Sequence, residues 1–227
     1  MLEREAARSV VPVIARLVSV NVGTPRVTEW FGRRVESGIW KAPVDGRVAV
    51  RGVNLDGDGQ ADPRVHGGPD KAIYAYAAED YAWWSEQLGR TIAPATFGEN
   101  LTTEGVDVGA LSLGTWLSVG TTVLEVAGPR LPCYKLAMRM DDPAFVDTFA
   151  DAARFGAYLR IVREGDVGAG DEIQLESPAA DGPTVTELGL GYDSPTPELV
   201  DRIVAHPAAG ATWHAWADRR RRRSDGA

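Results

Sequence analysis

Apolar and polar positions alternate from Ile14 to Val22, a two-residue period rich in β-branched side chains that predicts a first strand ending in the turn signal Asn21-Val22-Gly23-Thr24-Pro25. Arg26 to Trp30 and Arg33 to Glu36 predict a hairpin about Phe31-Gly32, and Ser37 to Val44 leads through a turn at Asp45-Gly46 into a strand from Arg47 to Val53. Ala72 to Ala77 is apolar throughout and predicts a buried strand. The helix expected after it, Ala78 to Gly89, has acidic residues in its first turn and a glycine stop, and its Tyr and Trp residues are read as core packing. Strands are expected at Thr115 to Val119, Thr122 to Ala127, Phe155 to Val162 and Asp171 to Leu175, with Gly165 to Gly170 as a turn. A helix is expected from the cap Asp141-Asp142-Pro143 to about Arg154.

After a linker-like break from Ser177 to Pro183, helical patterns recur at Thr184 to Tyr192, Pro197 to Ala205 and Ala208 to Arg223. The organisation expected is one main domain over residues 14–178 and a small helical appendage over 184–223. The fold class is mainly β, a β-rich α+β arrangement of short, closely spaced strands such as a barrel or sandwich builds. Two stretches fit no element. Leu55 to Asp70 is too polar to pack and too long for a turn, and Phe97 to Gly105 reads as a polar loop; segments of this kind commonly carry function. Asp56-Gly57-Asp58-Gly59 looks like the start of a calcium loop, but no glutamate falls where an EF-hand needs one.

Composition narrows the function classes. A chain of 227 residues with a net charge of −8 is a poor general binder of nucleic acid, whose phosphates demand a basic surface. The Arg219 to Arg223 run is read as a solvated helix end whose cations suit the helix dipole. One cysteine allows no internal disulfide, no iron–sulfur cluster and no Cys-rich zinc site, which points to the cytoplasm. The apolar run Val10 to Val18 is broken by Pro12 and Arg16 and fits neither a signal peptide nor a membrane span.

That single cysteine sits in Gly128-Pro129-Arg130-Leu131-Pro132-Cys133-Tyr134-Lys135-Leu136, where Arg130 and Lys135 favour a thiolate, a soft metal ligand. Pro129 and Pro132 predict a stiff loop leaving the preceding strand. The remaining cations of note, His66, Lys71 and Arg160, fall in short polar motifs of an otherwise acidic chain, and Gly67-Gly68 permits a cradle of backbone amides.

Taken in order, Ser37-Gly38-Ile39-Trp40-Lys41-Ala42-Pro43-Val44, the Gly57-Asp58 loop ending His66-Gly67-Gly68-Pro69-Asp70-Lys71-Ala72, Phe97-Gly98-Glu99-Asn100-Leu101, the cysteine segment and Gly156-Ala157-Tyr158-Leu159-Arg160 resemble the MOSC domain, named for the C-terminal domain of molybdenum cofactor sulfurases, and in particular its bacterial YiiM-like branch. The resemblance spans roughly Ile14 to Leu175, and the tail after Thr184 resembles that branch's three-helix appendage. It implies a MOSC-type β-barrel that binds the molybdenum cofactor (molybdopterin). Cys133 is then the metal ligand and catalytic residue, with His66, Gly67, Gly68, Lys71, Asn100, Arg130, Lys135 and Arg160 around the cofactor. The activity implied is an oxidoreductase that reduces small N-hydroxylated compounds such as hydroxylaminopurines, with no nucleic acid or membrane as partner. Two positions depart from the branch's pattern: Gly128 stands for a glutamine and Ala157 for a bulky aromatic, which bears on the substrate.

Reduction of N–OH takes two electrons. No Gly-x-Gly-x-x-Gly element follows a strand to hold a flavin or nicotinamide, so the reading calls for an external flavin reductase as donor. Two alternatives stand beside it: a sulfur carrier with a persulfide on Cys133, and a cofactor-binding module without turnover. Substrate and oligomeric state stay open, a homodimer being allowed.

Overall fold

The structure is a computed structural model, and the described residues are 15–61, 67–176 and 182–224. Strand β1 (Arg16–Val22) buries both Leu17 and Val20, which a strict two-residue alternation would place on opposite faces; a register shift against the neighbouring strand between Leu17 and Ser19 brings both inward. The hairpin β2 (Arg26–Trp30) and β3 (Arg33–Ser37) turns at Phe31 and Gly32, both at positive φ, the geometry whose twist matches a two-residue hairpin loop. Three short strands follow: β4 (Ala42–Pro43), β5 (Arg47–Arg51) and β6 (Asn54–Leu55).

A single 3₁₀ turn at Pro69–Lys71 leads into β7 (Ile73–Ala77), all five residues of which are buried, and then helix α1 (Ala78–Gln87). Strands β8 (Leu101–Glu104), β9 (Trp116–Val119) and β10 (Thr122–Pro129) precede two one-to-two-turn helices, α2 (Tyr134–Met140) and α3 (Phe145–Asp151). Next come β11 (Ala157–Arg163), β12 (Gly165–Gly168) and β13 (Ile173–Glu176), and finally α4 (Val185–Leu190), α5 (Pro197–Ala205) and α6 (Ala211–Ser224).

Eight strands form one sheet in the order β13-β9-β10-β11-β7-β8-β1-β4, antiparallel except for the parallel pair β7 and β8. β12, β5 and β6 form a second sheet, and β2 with β3 a third. The fold is sheet-rich α+β, but the barrel expected from the resemblance is not closed. One edge of β1 is taken by β8, and its other edge is divided between the two-residue β4 and a lone bridge from Arg16 to Glu172. Around that bridge Leu17 N donates to Asp171 O at 2.9 Å, Gly170 N to Leu17 O at 2.8 Å and Ile173 N to Ala15 O at 2.8 Å, which brings the sheet's two ends together without a continuous ladder.

The main core lies between this sheet and helices α1 to α3. Trp84 stacks on Phe149 at 5.6 Å and 4°, Tyr81 on Phe97 at 5.0 Å and 13°, and Trp84 Nε1 donates to the Tyr76 hydroxyl at 2.7 Å. The aromatics of α1 are therefore core, as read from the sequence. Each large side chain so buried stabilises by roughly 1.5–3 kcal/mol.

The three C-terminal helices carry a second, smaller core of Leu113, Leu199, Ile203, Trp213 and Trp216. Thr184 and Glu187 make a reciprocal capping box at α4, and Thr196 caps α5 ahead of Pro197. This layer docks on the sheet through Trp213, whose Nε1 donates to Ala127 O at 2.9 Å, and through Leu113 N to Pro183 O at 3.0 Å.

Three elements differ from the sequence expectation. Thr102 and Thr103 are buried in β8, where Thr102 answers Asn21 and Glu99 by hydrogen bonds, so the second half of a stretch read as polar loop is a central strand. Gly165 to Gly168 pairs with β5 and is a strand, not a turn. The residues after Cys133 form α2, so the cysteine segment is the end of β10, a four-residue link (130–133) and a helix start. No described helix is long and apolar enough to cross a membrane. His66 and the linker residues 177–181 lie outside the described residues.

Candidate functional site

β10 runs as far as Pro129, and Arg130 then donates its amide to the carbonyl of Gly156, just before the neighbouring β11, at 3.3 Å. Cys133, extended at φ −146°, precedes α2 and accepts from Leu136 N at 2.8 Å. The thiol is free of any disulfide and partly exposed. It stands between two adjoining cavities whose walls share Lys71, Leu131, Cys133 and Tyr158.

The first cavity, about 110 Å³, is polar and cationic: Lys41, Lys71, Arg130 and Lys135 all reach its wall. Arg130 is only 6% exposed, lies over the rings of Tyr74 and Phe149 at 5.9 and 5.8 Å, and enters no ion pair among the described residues. Its Nη1 is buried without a hydrogen-bond partner. A buried guanidinium donor left open is costly, and the cost is removed when an anion fills the space beside it. Burial lowers the pKa of Lys71, against the pull of Asp70 and of the Cys133 sulfur. The same sulfur acts on Arg130, so both cations stand within electrostatic reach of a Cys133 thiolate.

The opposite wall is held by a buried polar network. Asn100 Oδ1 accepts from Tyr74 N at 3.1 Å, while its Nδ2 donates to Asp58 Oδ2 at 3.0 Å and to Asn21 O at 3.3 Å. Asp58 also pairs with Lys41 and accepts from Gly23 N at 2.9 Å. Burial pushes the Lys41 amine down, and Asp58 opposes the shift. Behind them, the fully buried Glu99 accepts from the Tyr81 hydroxyl at 2.6 Å, Ala95 N at 2.5 Å and Thr102 Oγ1 at 2.9 Å. Burial raises its carboxyl, and these donors pull it back. Gly98, at φ 82°, lets this loop lie against Ile39, since an added Cβ would fall 2.7 Å from its side-chain Cγ1 and 3.2 Å from its backbone Cα and O. Thus Phe97-Gly98-Glu99-Asn100 is a brace that fixes one side of the cleft.

The structure brings together Cys133, Lys71, Asn100, Arg130 and Lys135. It does not bring Gly67 or Gly68 to the cavity wall; Gly68 instead sets up the turn before Lys71 with φ 90° and donates to Gln60 Oε1 at 3.2 Å. Arg160 points elsewhere. Its Nε donates to Asp70 Oδ1 at 3.0 Å, Nη1 to Glu125 Oε2 at 2.9 Å and Nη2 to Ala208 O at 3.3 Å, so it clamps the 69–71 turn between β10 and the helical layer. It positions Lys71's turn and lines neither cavity.

Three residues were not singled out from the sequence: Lys41, Asp58 and Tyr158. All three stood inside quoted motifs, and their signal was a charge or ring amid residues that face the cleft. Burial raises the Tyr158 hydroxyl, with Arg130 opposing and Cys133 adding to the shift.

Among the described residues no group of three or more His, Cys, Asp or Glu could hold a metal. A metal at Cys133 therefore needs ligands carried by a cofactor, and the open Arg130 donor with three lysines fits the anionic part of such a group.

A family model described as the MOSC domain matches residues 62–174. Protein YflK of Bacillus subtilis is 35% identical over 201 residues, covering 88% of this chain and 91% of its own length. A protein of Gibberella moniliformis named a reductase is 30% identical over 149 residues, 64% of this chain and 26% of the longer relative. The crystal structure of YiiM from Geobacillus stearothermophilus superposes with a TM-score of 0.75 at 29% identity, covering 91% of this chain and 98% of that one. With motifs, fold and relatives in agreement over most of its length, the chain belongs to the MOSC domain family, in its bacterial YiiM-like branch.

Proposed function

We propose that this chain is a molybdenum-cofactor-dependent oxidoreductase that reduces N-hydroxylated compounds. The observation that carries the reading is the buried, unpartnered Arg130 Nη1 in a lysine-lined cavity that opens on the lone Cys133. Support comes also from the MOSC family's association with that cofactor and from a relative named a reductase.

In this reading Cys133 Sγ is the protein's ligand to the metal, and Arg130, Lys135, Lys41 and Lys71 hold the anionic part of the cofactor. Bound there, the cofactor supplies a two-electron couple. The reaction balances as R–NHOH + 2 e⁻ + 2 H⁺ → R–NH₂ + H₂O. Lys71 Nζ, whose pKa burial lowers, borders both cavities and can release a proton toward the leaving oxygen more readily than an ordinary lysine. Tyr158 closes the wall beside it and limits water at Cys133. Electrons come from a separate flavin reductase.

The test uses cofactor-loaded protein and phenylhydroxylamine. Reduced viologen drives turnover, NADPH alone does not, and an added flavin reductase restores the NADPH reaction. Robust turnover with NADPH alone contradicts the division of labour. A second reading, sulfur transfer through a Cys133 persulfide, draws on the partly exposed thiol between two cations. Inactivity with every reductant, together with cyanide-labile sulfur on Cys133, selects that second reading.

A further inference from the structure

The helical layer meets the sheet at a corner, residues 206–210, that joins α5 to α6. His206 ends α5 and is only 7% exposed. Its Nδ1 accepts from Ala208 N at 3.3 Å, which leaves the ring's proton on Nε2. That nitrogen is buried and has no hydrogen-bond partner among the described residues. The ring is held there by shape. A Cβ on Gly182 would fall 2.7 Å from Nε2, and one on Gly114, at φ 79°, would fall 3.4 Å from Cε1 and 2.7 Å from the Ala208 methyl. Two loops therefore close on an imidazole that they suit only in its neutral form.

The rest of the corner reaches the 69–71 turn. Ala208 O accepts from Arg160 Nη2 at 3.3 Å, and Gly210 lies so close to the Asp70 carboxylate that no side chain would fit between them. Arg160 and Asp70 are the clamp that fixes the turn carrying Lys71. The seat of the helical layer and that clamp are thus one contact.

The charged groups facing His206 come from four elements. Glu125 on β10 is already engaged, accepting from Arg160 Nη1 at 2.9 Å and from Trp116 Nε1 at 3.3 Å. Arg160 stands on β11. Arg202, on α5 itself, pairs with Glu187 of α4 at 2.9 Å and donates to Gly182 O at 3.1 Å. The loops at 113–114 and 182–183 bring no titratable side chain. A proton added to Nδ1 makes it a donor facing the Ala208 N–H, and sets a positive charge in a seam where Arg160 and Arg202 offset the pull of Glu125. Burial accordingly lowers the His206 pKa, with Glu125 opposing the shift and Arg202 adding to it.

We propose that His206 is a proton-sensitive latch: neutral, it seats the corner between α5 and α6 on the sheet, and on taking up a proton it releases the helical layer from Arg160 and Asp70. The released layer binds that proton more tightly than the docked one. Docking is therefore at full strength above the ordinary histidine value of 6.5 and weakens as pH falls below it. The latch stands apart from the reading of Cys133 and needs no bound cofactor.

The experiment follows hydrogen–deuterium exchange of the full-length chain at about pH 7.5 and about pH 5, corrected for the intrinsic pH dependence of exchange, in wild type and in the neutral variant His206→Gln. The result expected is that peptides spanning α5 and α6 lose about fivefold or more of their protection at the lower pH in wild type, while β7, β10 and β11 keep theirs and His206→Gln shows no such loss. Unchanged protection in wild type, a loss shared equally by the main core, or the same loss in folded His206→Gln overturns the latch. Should that variant fail to fold, NMR titration of the three histidines decides on wild-type residues, with His206 identified by elimination through His66→Gln and His214→Gln. His206 is expected to take up its proton below 6.5, over the range in which the helices lose protection. Titration at the ordinary value, or with no accompanying loss of protection, overturns the assignment.

Discussion

Arg130 is the residue at which sequence and structure meet most directly. Its place beside Cys133 could be read from the chain, but its value as an anion donor depends on burial under Tyr74 and Phe149 and on an Nη1 without a partner, which only the fold reveals. Arg130→Lys keeps the charge and loses the fork, so cofactor occupancy measured with cofactor limiting should fall by about 10- to 100-fold, the range for a lost charged hydrogen bond. Full occupancy in that variant would remove Arg130 from the site.

Glu99 makes a separate prediction. Burial raises its carboxyl above the ordinary 4.5, so the native state binds this proton more tightly than the unfolded chain. Its contribution to stability is complete below the unfolded value and is lost as pH rises through the native one. The stability of the wild type relative to Glu99→Gln should therefore fall as pH is raised from about 4 to neutrality, as read by denaturant unfolding. A pH-independent difference would show that its donors cancel the cost of burial. Arg160, expected beside the cofactor, is found clamping the 69–71 turn, and the reason could not be read locally. Its charge was visible, but Asp70, Glu125 and Ala208 lie 90, 35 and 48 positions away, and nothing local reveals such partners.

Among the elements, those with a clean period were legible: β1, the β2 and β3 hairpin, β7, α1 and the C-terminal helices. β8 was hidden because its buried threonines are polar in the sequence, and their compensation by Asn21 and Glu99 is long-range. α2 was hidden because two prolines before it signal a loop, although the helix begins after them. The brace and the helical layer carry the element-scale predictions. Asn100→Ala removes three side-chain hydrogen bonds joining β1, β7 and the Asp58 loop, and should cost about 2–4 kcal/mol in denaturant unfolding. Gly128→Ala forces a side chain against Trp213 at a φ of 145°, and should cost about 1–3 kcal/mol while red-shifting tryptophan emission as the indole leaves its seat. A neutral Gly128→Ala would show that the helical layer docks by other contacts.

At the scale of the molecule, the β-rich class and the appended helices could be read from spacing, whereas the closed barrel could not survive the actual pairing of β1. The open sheet has a functional counterpart. The cations gathered by its loops stand in a chain of net charge −8, so the site is a local basic pocket in an acidic molecule, suited to an anionic cofactor and not to a polyanion. The helical layer then covers the Cys133 edge from the other side with aromatic rings. The central claim is that Cys133 holds a metal within that pocket. Serine in its place is of similar size but a harder and far less acidic ligand, so it should fold alike and hold no metal. The direct measurement is the molybdenum content per chain of wild type and Cys133→Ser, purified from a host that makes the cofactor, with thermal unfolding recorded alongside. The account predicts stoichiometric molybdenum in the wild type and near-complete loss in a variant of unchanged melting; equal metal in both, or none in either, would contradict it.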